Sequence, residues 1–264
     1  MAERVPLHDE AGREVASYLL DERLGRPCAD MLDAGPGIAT DRVVAAVFAR
    51  LAGWAVAGAT VDVGEALVAA GAVERRRAIV QQHDLGTLPR PAVPAGIRIV
   101  PLAHTADQLL PAFLAAFPQG HLDRAPESSD ADELADLERV LDGTEVGPLL
   151  PQSRVAVTPS GLIVGAVTVN DRDGTPPLAG PWLSYVFRDP QASPAGTGAA
   201  LVAAALVALR DDDAPGAGIA VTAGNPAQLV YERLGFRTIL SGMTVVVPPP
   251  DGLSWDGERE IADG

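Results

Sequence analysis

Lysine is absent from this chain. Its 20 basic residues are all arginine, set against 35 Asp and Glu, for a formal net charge of −15. So acidic a chain repels a phosphate backbone, which argues against nucleic acid as a partner. Two uses of the charge stay open: steering of cationic ligands, and plain solubility. Cysteine occurs once, at Cys28, so no intramolecular disulfide can form and a cytoplasmic setting is expected. No motif supports Cys28 as a nucleophile, and a buried structural thiol is the expectation. No apolar run reaches the roughly 18 residues of a membrane span. The longest, Ala199 to Leu209, has the length of a core helix, and no membrane association is expected. The opening MAERVPLHDE lacks a basic region followed by an apolar run, so no secretory signal is expected. His8, His83, His104 and His121 are scattered without ligand spacing, and no metal site is expected.

What is present is 264 residues, 47% of them hydrophobic, enough for one large domain or two small ones. The stretch GTLPRPAVPAG, residues 86–96, holds three prolines and is the best linker in the chain. A boundary there divides the sequence into an αβ segment 1–90, a main domain 91–248 and an acidic, turn-rich tail 249–264. In the first segment, Glu10 to Leu24 has mixed helical character. Gly35-Pro36-Gly37 is a turn, and Thr40 is a cap for a helix to Leu51. Gly64 to Ala70 is a short helix stopped by Gly71, and Arg77 to Gln81 a strand. The main domain begins with a strand at Ile97 to Val100. Helices follow at Thr105 to Phe117 and from Ser128 or Ser129 to Leu141. A hairpin turns through Pro159-Ser160-Gly161.

The main domain is organised around Pro181 to Phe236. Leu183 to Phe187 reads as a strand. Gly196-Thr197-Gly198 then opens a helix that is apolar on all sides and therefore buried. Its first amides lack intrahelical partners and sit at the positive end of the helix dipole, which suits an anion. Ile219 to Thr222 is a brief strand. Asn225-Pro226 suits a helix start, with Tyr231 and Glu232 inside the helix and Gly235 just past its end. Strand follows from Phe236 and again at Met243 to Val247. A doubly wound nucleotide-binding domain would carry its glycine fingerprint after an early strand, and this glycine pair comes late.

These residues resemble the GCN5-related N-acetyltransferases (GNAT). The first motif of that family is R/Q-x-x-G-x-G/A, which here reads Ser193-Pro194-Ala195-Gly196-Thr197-Gly198. The second is an Asn followed by Tyr-Glu-x-x-Gly-Phe, here Asn225 and Tyr231-Glu232-Arg233-Leu234-Gly235-Phe236. The chain departs from the family at Ser193, where Arg or Gln is usual, and its Asn-to-Tyr spacing is one residue shorter. The resemblance implies an α/β (α+β) fold with a mixed, mostly antiparallel central sheet flanked by helices, plus the smaller N-terminal αβ segment. It also implies acetyl-CoA, or another acyl-CoA, as the donor and a small-molecule or peptide amine as the acceptor, joined by direct attack. Carried over from the family, the backbone at Ala195, Gly196, Thr197, Gly198 and Ala199, with Ser193, would hold the pyrophosphate. The strand at Val186, Phe187 and Arg188 would pair with the pantetheine arm. Asn225 is either a cofactor contact or a helix cap, and both roles are compatible. Tyr231 is either the general acid for the departing thiolate or a core tyrosine. His121, Asp123 and Glu127, between the first two helices of the domain, and Tyr185 on the strand are candidates for the acceptor side. The general base is not assigned.

Two further alternatives stay open. The domain is either an acyltransferase or a member that binds acyl-CoA, or has lost even that, and serves as a sensor or interaction module. Aligning Gly71 with Gly235 sets Leu67 at the place of Tyr231, so the first segment is either a degenerate half copy of the later domain or a chance likeness.

Overall fold

The computed structural model describes residues 3–88, 91–125, 128–172 and 179–249. The chain begins with β1 (Arg4–His8), β2 (Glu14–Arg23) and β3 (Arg26–Ala34). It continues through α1 (Thr40–Arg50), β4 (Ala55–Thr60), α2 (Val61–Ala69) and β5 (Val73–His83). Then come β6 (Arg98–Pro101), α3 (Ala106–Ala116), α4 (Asp130–Asp142), β7 (Arg154–Val157) and β8 (Ile163–Asp171). The last elements are β9 (Pro181–Arg188), α5 (Thr197–Asp211), β10 (Ala217–Thr222), α6 (Ala227–Arg233) and β11 (Arg237–Val246).

Local sequence explains most boundaries. Thr105 starts α3 through a capping box with Gln108, and Ser129 starts α4 through one with Asp132. Gly143, at φ 83°, ends α4 in the left-handed conformation. Two expectations are corrected. Glu10 to Leu24 is not helical: Ala16 on β2 lies between Leu7 on β1 and Ala34 on β3, so pairing on both edges overrides the local pattern. The two strands expected after Phe236 are one continuous strand, β11. The tail from 250 on lies outside the described residues.

The chain divides into two compact units, residues 1–78 with the stretch from Ser241 on, and Ile79–Leu240. The division falls inside β5 and inside β11. In the first unit the strand order is β1-β2-β3-β4-β11-β5, with β3 and β4 parallel. Val43 and Val47 of α1 and Leu67 of α2 pack with Val56, Met243 and Val245 in its core. Gly64 on α2 allows this approach, since a Cβ there would lie 2.6 Å from Met243 Sδ.

The second unit contains the remaining strands in the order β11-β5-β10-β9-β8-β7-β6. From β6 to β9 the pairing is antiparallel, and β9 with β10 is parallel. The expected mixed, mostly antiparallel sheet flanked by helices is what forms. Leu201 and Leu206 of α5 and Tyr231 of α6 pack with Ala156, Leu183, Ile219 and Phe236. On the opposite face Leu109 and Phe113 of α3 and Leu137 of α4 pack with Val155, Val157 and Phe187. The alternation of Ala156 against Val155 and Val157 is the period-two signature of a sheet covered on both sides.

Candidate functional site

In the second unit the two parallel strands β9 and β10 part company after a short pairing. β9 pairs with β10 only at Trp182–Gly218 and Leu183–Ile219. From Ser184 to Arg188 the β9 edge that faces β10 has no strand beside it among the described residues. A β-bulge marks the point of divergence. Thr168 on β8 stands opposite Tyr185, but its neighbour Val169 stands opposite Leu183, so Ser184 is the extra residue. The extra residue changes which face each side chain meets. Leu183 belongs to the α5 core, whereas Tyr185 and Phe187 belong to the α3–α4 core. Polar contacts fix the bulge. Ser184 Oγ donates to Asn170 Oδ1 at 2.7 Å, and the Asn170 amide donates to Val140 O and Gly147 O, both at 2.8 Å. The Tyr185 N–H donates to Thr168 Oγ1 at 3.0 Å.

At the far end of β9 a tight loop leads into α5. Asp189 Oδ1 accepts from the N–H groups of Gln191 and Ala192, and Ser193 Oγ donates to Asp189 O at 2.6 Å. Gly196, at φ 92°, turns the chain into the helix in a conformation that costs an L-residue strain. The N–H groups of Gly198 and Ala199 have no acceptor among the described residues, as the first turn of a helix requires. Arg188 reaches back over this loop, its Nη1 donating to Ser193 Oγ at 3.2 Å and to Ser193 O at 3.4 Å.

The third wall comes from the connection between α3 and α4. Asp123 accepts from Thr222 Oγ1, at the end of β10, and from Asn225 Nδ2 at 2.6 Å. Asn225 Oδ1 in turn accepts from the N–H of Ala227 at 2.8 Å, so the same amide caps α6 and holds the loop. His121 lies beside this carboxylate, its Nδ1 accepting from the Asp123 N–H at 3.1 Å, and its ring is 5.0 Å from Phe117. Arg124 pins the loop from below. Its guanidinium, only 3% exposed, pairs with Asp130 at 2.8 Å and Glu133 at 3.3 Å and donates to Phe117 O and Ser128 O. Tyr231 is 6% exposed, with its ring 5.9 Å from that of Phe236. Burial and the Asp123 charge both push its phenol well above the ordinary tyrosine range, so it is neutral at physiological pH. Tyr185, its ring 4.9 Å from that of Phe113, is raised first by burial and then by Asp136 and Glu133.

Several solved structures share this architecture. A GCN5-related N-acetyltransferase from Sphaerobacter thermophilus superposes with a TM-score of 0.62 at 17% identity, covering 92% of this chain and 80% of its own. The chain has the fold of the GCN5-related N-acetyltransferases. A GNAT from Kribbella flavida gives 0.53 at 17% identity, over 94% of this chain and 90% of its own. A tandem GNAT protein from the clavulanic acid biosynthesis pathway gives 0.52 at 20% identity, over 89% and 79%. By sequence, no family model and no curated protein matches.

On the GNAT fold the motif residues fall in three places. Arg188, Ser193 and the backbone from Ala195 to Ala199 surround the start of α5, Val186 and Phe187 lie on the parted edge of β9, and Asn225 and Tyr231 lie on and before α6. Asp123 joins Asn225 directly, His121 bonds to Asp123, and Tyr185 stands on the α3–α4 face of β9. Glu127 lies outside the described residues. The sequence reading missed Thr222, the Ser184 bulge with its Asn170 anchor, and Arg124. A signal existed for Asn170, a polar residue closing the apolar run from Leu162 to Val169. The bulge left no mark in the sequence. Cys28 is buried, and desolvation pushes its thiol up to about 12, which leaves it unreactive. Among the described residues no group of three or more His, Cys, Asp or Glu converges.

Proposed function

We propose that this protein transfers an acyl group from acyl-CoA, acetyl-CoA in the first instance, to a primary amine. The observation that carries this reading is the parting of β9 from β10 beside a helix start whose amides are free. The residues fit a donor of that shape. The Gly198 and Ala199 N–H groups and the dipole of α5 suit a pyrophosphate. The unpaired edge from Ser184 to Arg188 suits the amide-bearing pantetheine arm, which can add to a sheet edge as a strand does. When bound, the donor supplies an activated acyl thioester.

The chain's own residues then have separable roles. A main-chain N–H of the β9 edge near the bulge polarises the acyl carbonyl. An amine enters from the α3–α4 side, past Tyr185 and His121, where the Asp123 carboxylate favours a cationic group. The amine reacts in its neutral form: as the new C–N bond forms and the C–S bond breaks, Tyr231 gives its proton to the departing sulfur, and the proton lost by the attacking nitrogen restores the phenol. A neutral, dry phenol is suited to that step. The setting we propose is the cytoplasm; among the described residues no helix is long and apolar enough to cross a membrane.

A second reading, a site that binds acyl-CoA without turnover, is favoured by two observations. Asp123 is held by Thr222 and Asn225, and Tyr231 is packed in the core. The two readings separate in an assay of thiol release from acetyl-CoA against panels of polyamines, amino acids, aminoglycosides and peptide N-termini. Amine-dependent release that falls on Tyr231→Phe supports transfer. Donor binding with no release across the panels supports the sensor reading.

We infer also that residues 1–78 are a half copy of the motif. In both places a strand, a helix, a strand and a helix follow in order, and β3 pairs with β4 at only two positions, as β9 does with β10. Gly71 N–H donates to Val68 O as Gly235 N–H does to Glu232 O, and Ala72 N–H donates to Leu67 O as Phe236 N–H does to Tyr231 O.

A further inference from the structure

We propose that the side chain of Arg188, on the strand rather than in the glycine loop, supplies the positive charge that selects donors carrying a pyrophosphate. This rests on the acyl-CoA reading above. Among the described residues, no carboxylate lies within ion-pair distance of Arg188, although the chain carries 35 acidic residues. The neighbouring Asp189 makes no ion pair with it; its Oδ1 accepts instead from the Gln191 and Ala192 amides. Arg188 is half-buried, and removing a guanidinium from water without a paired anion is unfavourable.

The side chain is also held in place. Gly165 on β8 lets β9 close in at this residue, since a Cβ there would lie 3.1 Å from Arg188 Cβ. The stem runs along the first turn of α5, with Arg188 Cδ 3.9 Å from where a Cβ on Gly198 would be. Nη1 donates to Ser193, and among the described residues Nε and Nη2 have no acceptor, as the Gly198 and Ala199 amides of the same helix start have none. A guanidinium edge, Nε–H with Nη2–H, and two amides at one helix start match a doubly charged diphosphate. Ser193 is small, and its hydroxyl accepts from Arg188 Nη1 while donating to Asp189 O.

The test is a calorimetric comparison of two donors, acetyl-CoA and acetyl-pantetheine, which lacks the diphosphate. Wild type, Arg188→Met and the double variant Arg188→Met with Ser193→Arg are titrated, each first shown to unfold at a temperature close to that of wild type. Arg188→Met is expected to weaken acetyl-CoA roughly tenfold or more, as loss of charge-assisted hydrogen bonds does, and to leave acetyl-pantetheine unchanged. The double variant, with its charge returned from the loop, is expected to recover most of the acetyl-CoA affinity. Equal weakening of both donors, or none, overturns the role of Arg188 while leaving acyl-CoA binding intact. Wild type that binds neither donor sinks the acyl-CoA reading itself, and this inference with it.

Discussion

Tyr231 is where residue-scale chemistry decides the reading. Burial and the Asp123 carboxylate both disfavour the phenolate, so the folded-state pKa lies above the ordinary 10.0. Its proton is therefore present through the whole physiological range. In a spectrophotometric pH titration, wild type and Tyr231→Phe are expected to develop the same tyrosinate signal up to about pH 10. Tyr231→Phe is expected to lower turnover by roughly a hundredfold, within the usual range of general-acid effects, with donor affinity nearly unchanged. His83 gives a second pH test. It is 1% exposed, accepts at Nδ1 from the Leu85 N–H at 2.8 Å, and places Nε2 3.0 Å from Leu234 O. The contacts therefore require the neutral ring with its proton on Nε2. Burial lowers its pKa below the ordinary 6.5, so the unfolded chain binds this proton more readily than the folded one. Stability is then full above about pH 6.5 and declines as the pH falls below it. Urea unfolding of wild type and His83→Phe across that range checks this, with the slope expected to flatten in the variant. Tyr231 was legible in the sequence because Tyr-Glu-Arg-Leu-Gly-Phe is a specific run. His83 was not, because its partner Leu234 is 151 positions away.

At the scale of elements, the proposed function rests on how α6 and β9 are set. Gly235 ends α6 at φ 99°, and a Cβ there would lie 2.8 Å from His83 Nε2. Gly235→Ala is expected to cost about 2–4 kcal/mol, from left-handed strain plus overpacking, measured by denaturant unfolding. The glycine itself was readable as a helix stop, but the reason no larger residue fits was not. The same holds for β9. Its strand character was plain from Leu183 to Phe187. The Ser184 bulge, which sends Tyr185 and Phe187 to the opposite face from Leu183, depends on the register against β8 and on the Asn170 hydrogen bonds. Pairings between distant segments leave no local periodicity. For that reason Glu10 to Leu24 also reads as partly helical, although Glu14–Arg23 within it forms a strand paired on both edges.

For the molecule as a whole, chain order and compact units do not coincide. Residues 1–78 form their unit only with the stretch from Ser241 on, since β11 lies between β4 and β5 there. A chain ending at Leu240 is expected to lose cooperative unfolding of residues 1–78, read as fast amide exchange across β1 to β4. Slow exchange there would show that β11 is dispensable to that unit. The central claim, that the parted strands and the start of α5 receive an acyl-CoA, is tested most directly by titrating acetyl-CoA into the intact protein in a calorimeter. One site of micromolar affinity, about −8 kcal/mol at 1 μM, is the expected result. No heat and no thermal shift at millimolar acetyl-CoA would contradict it.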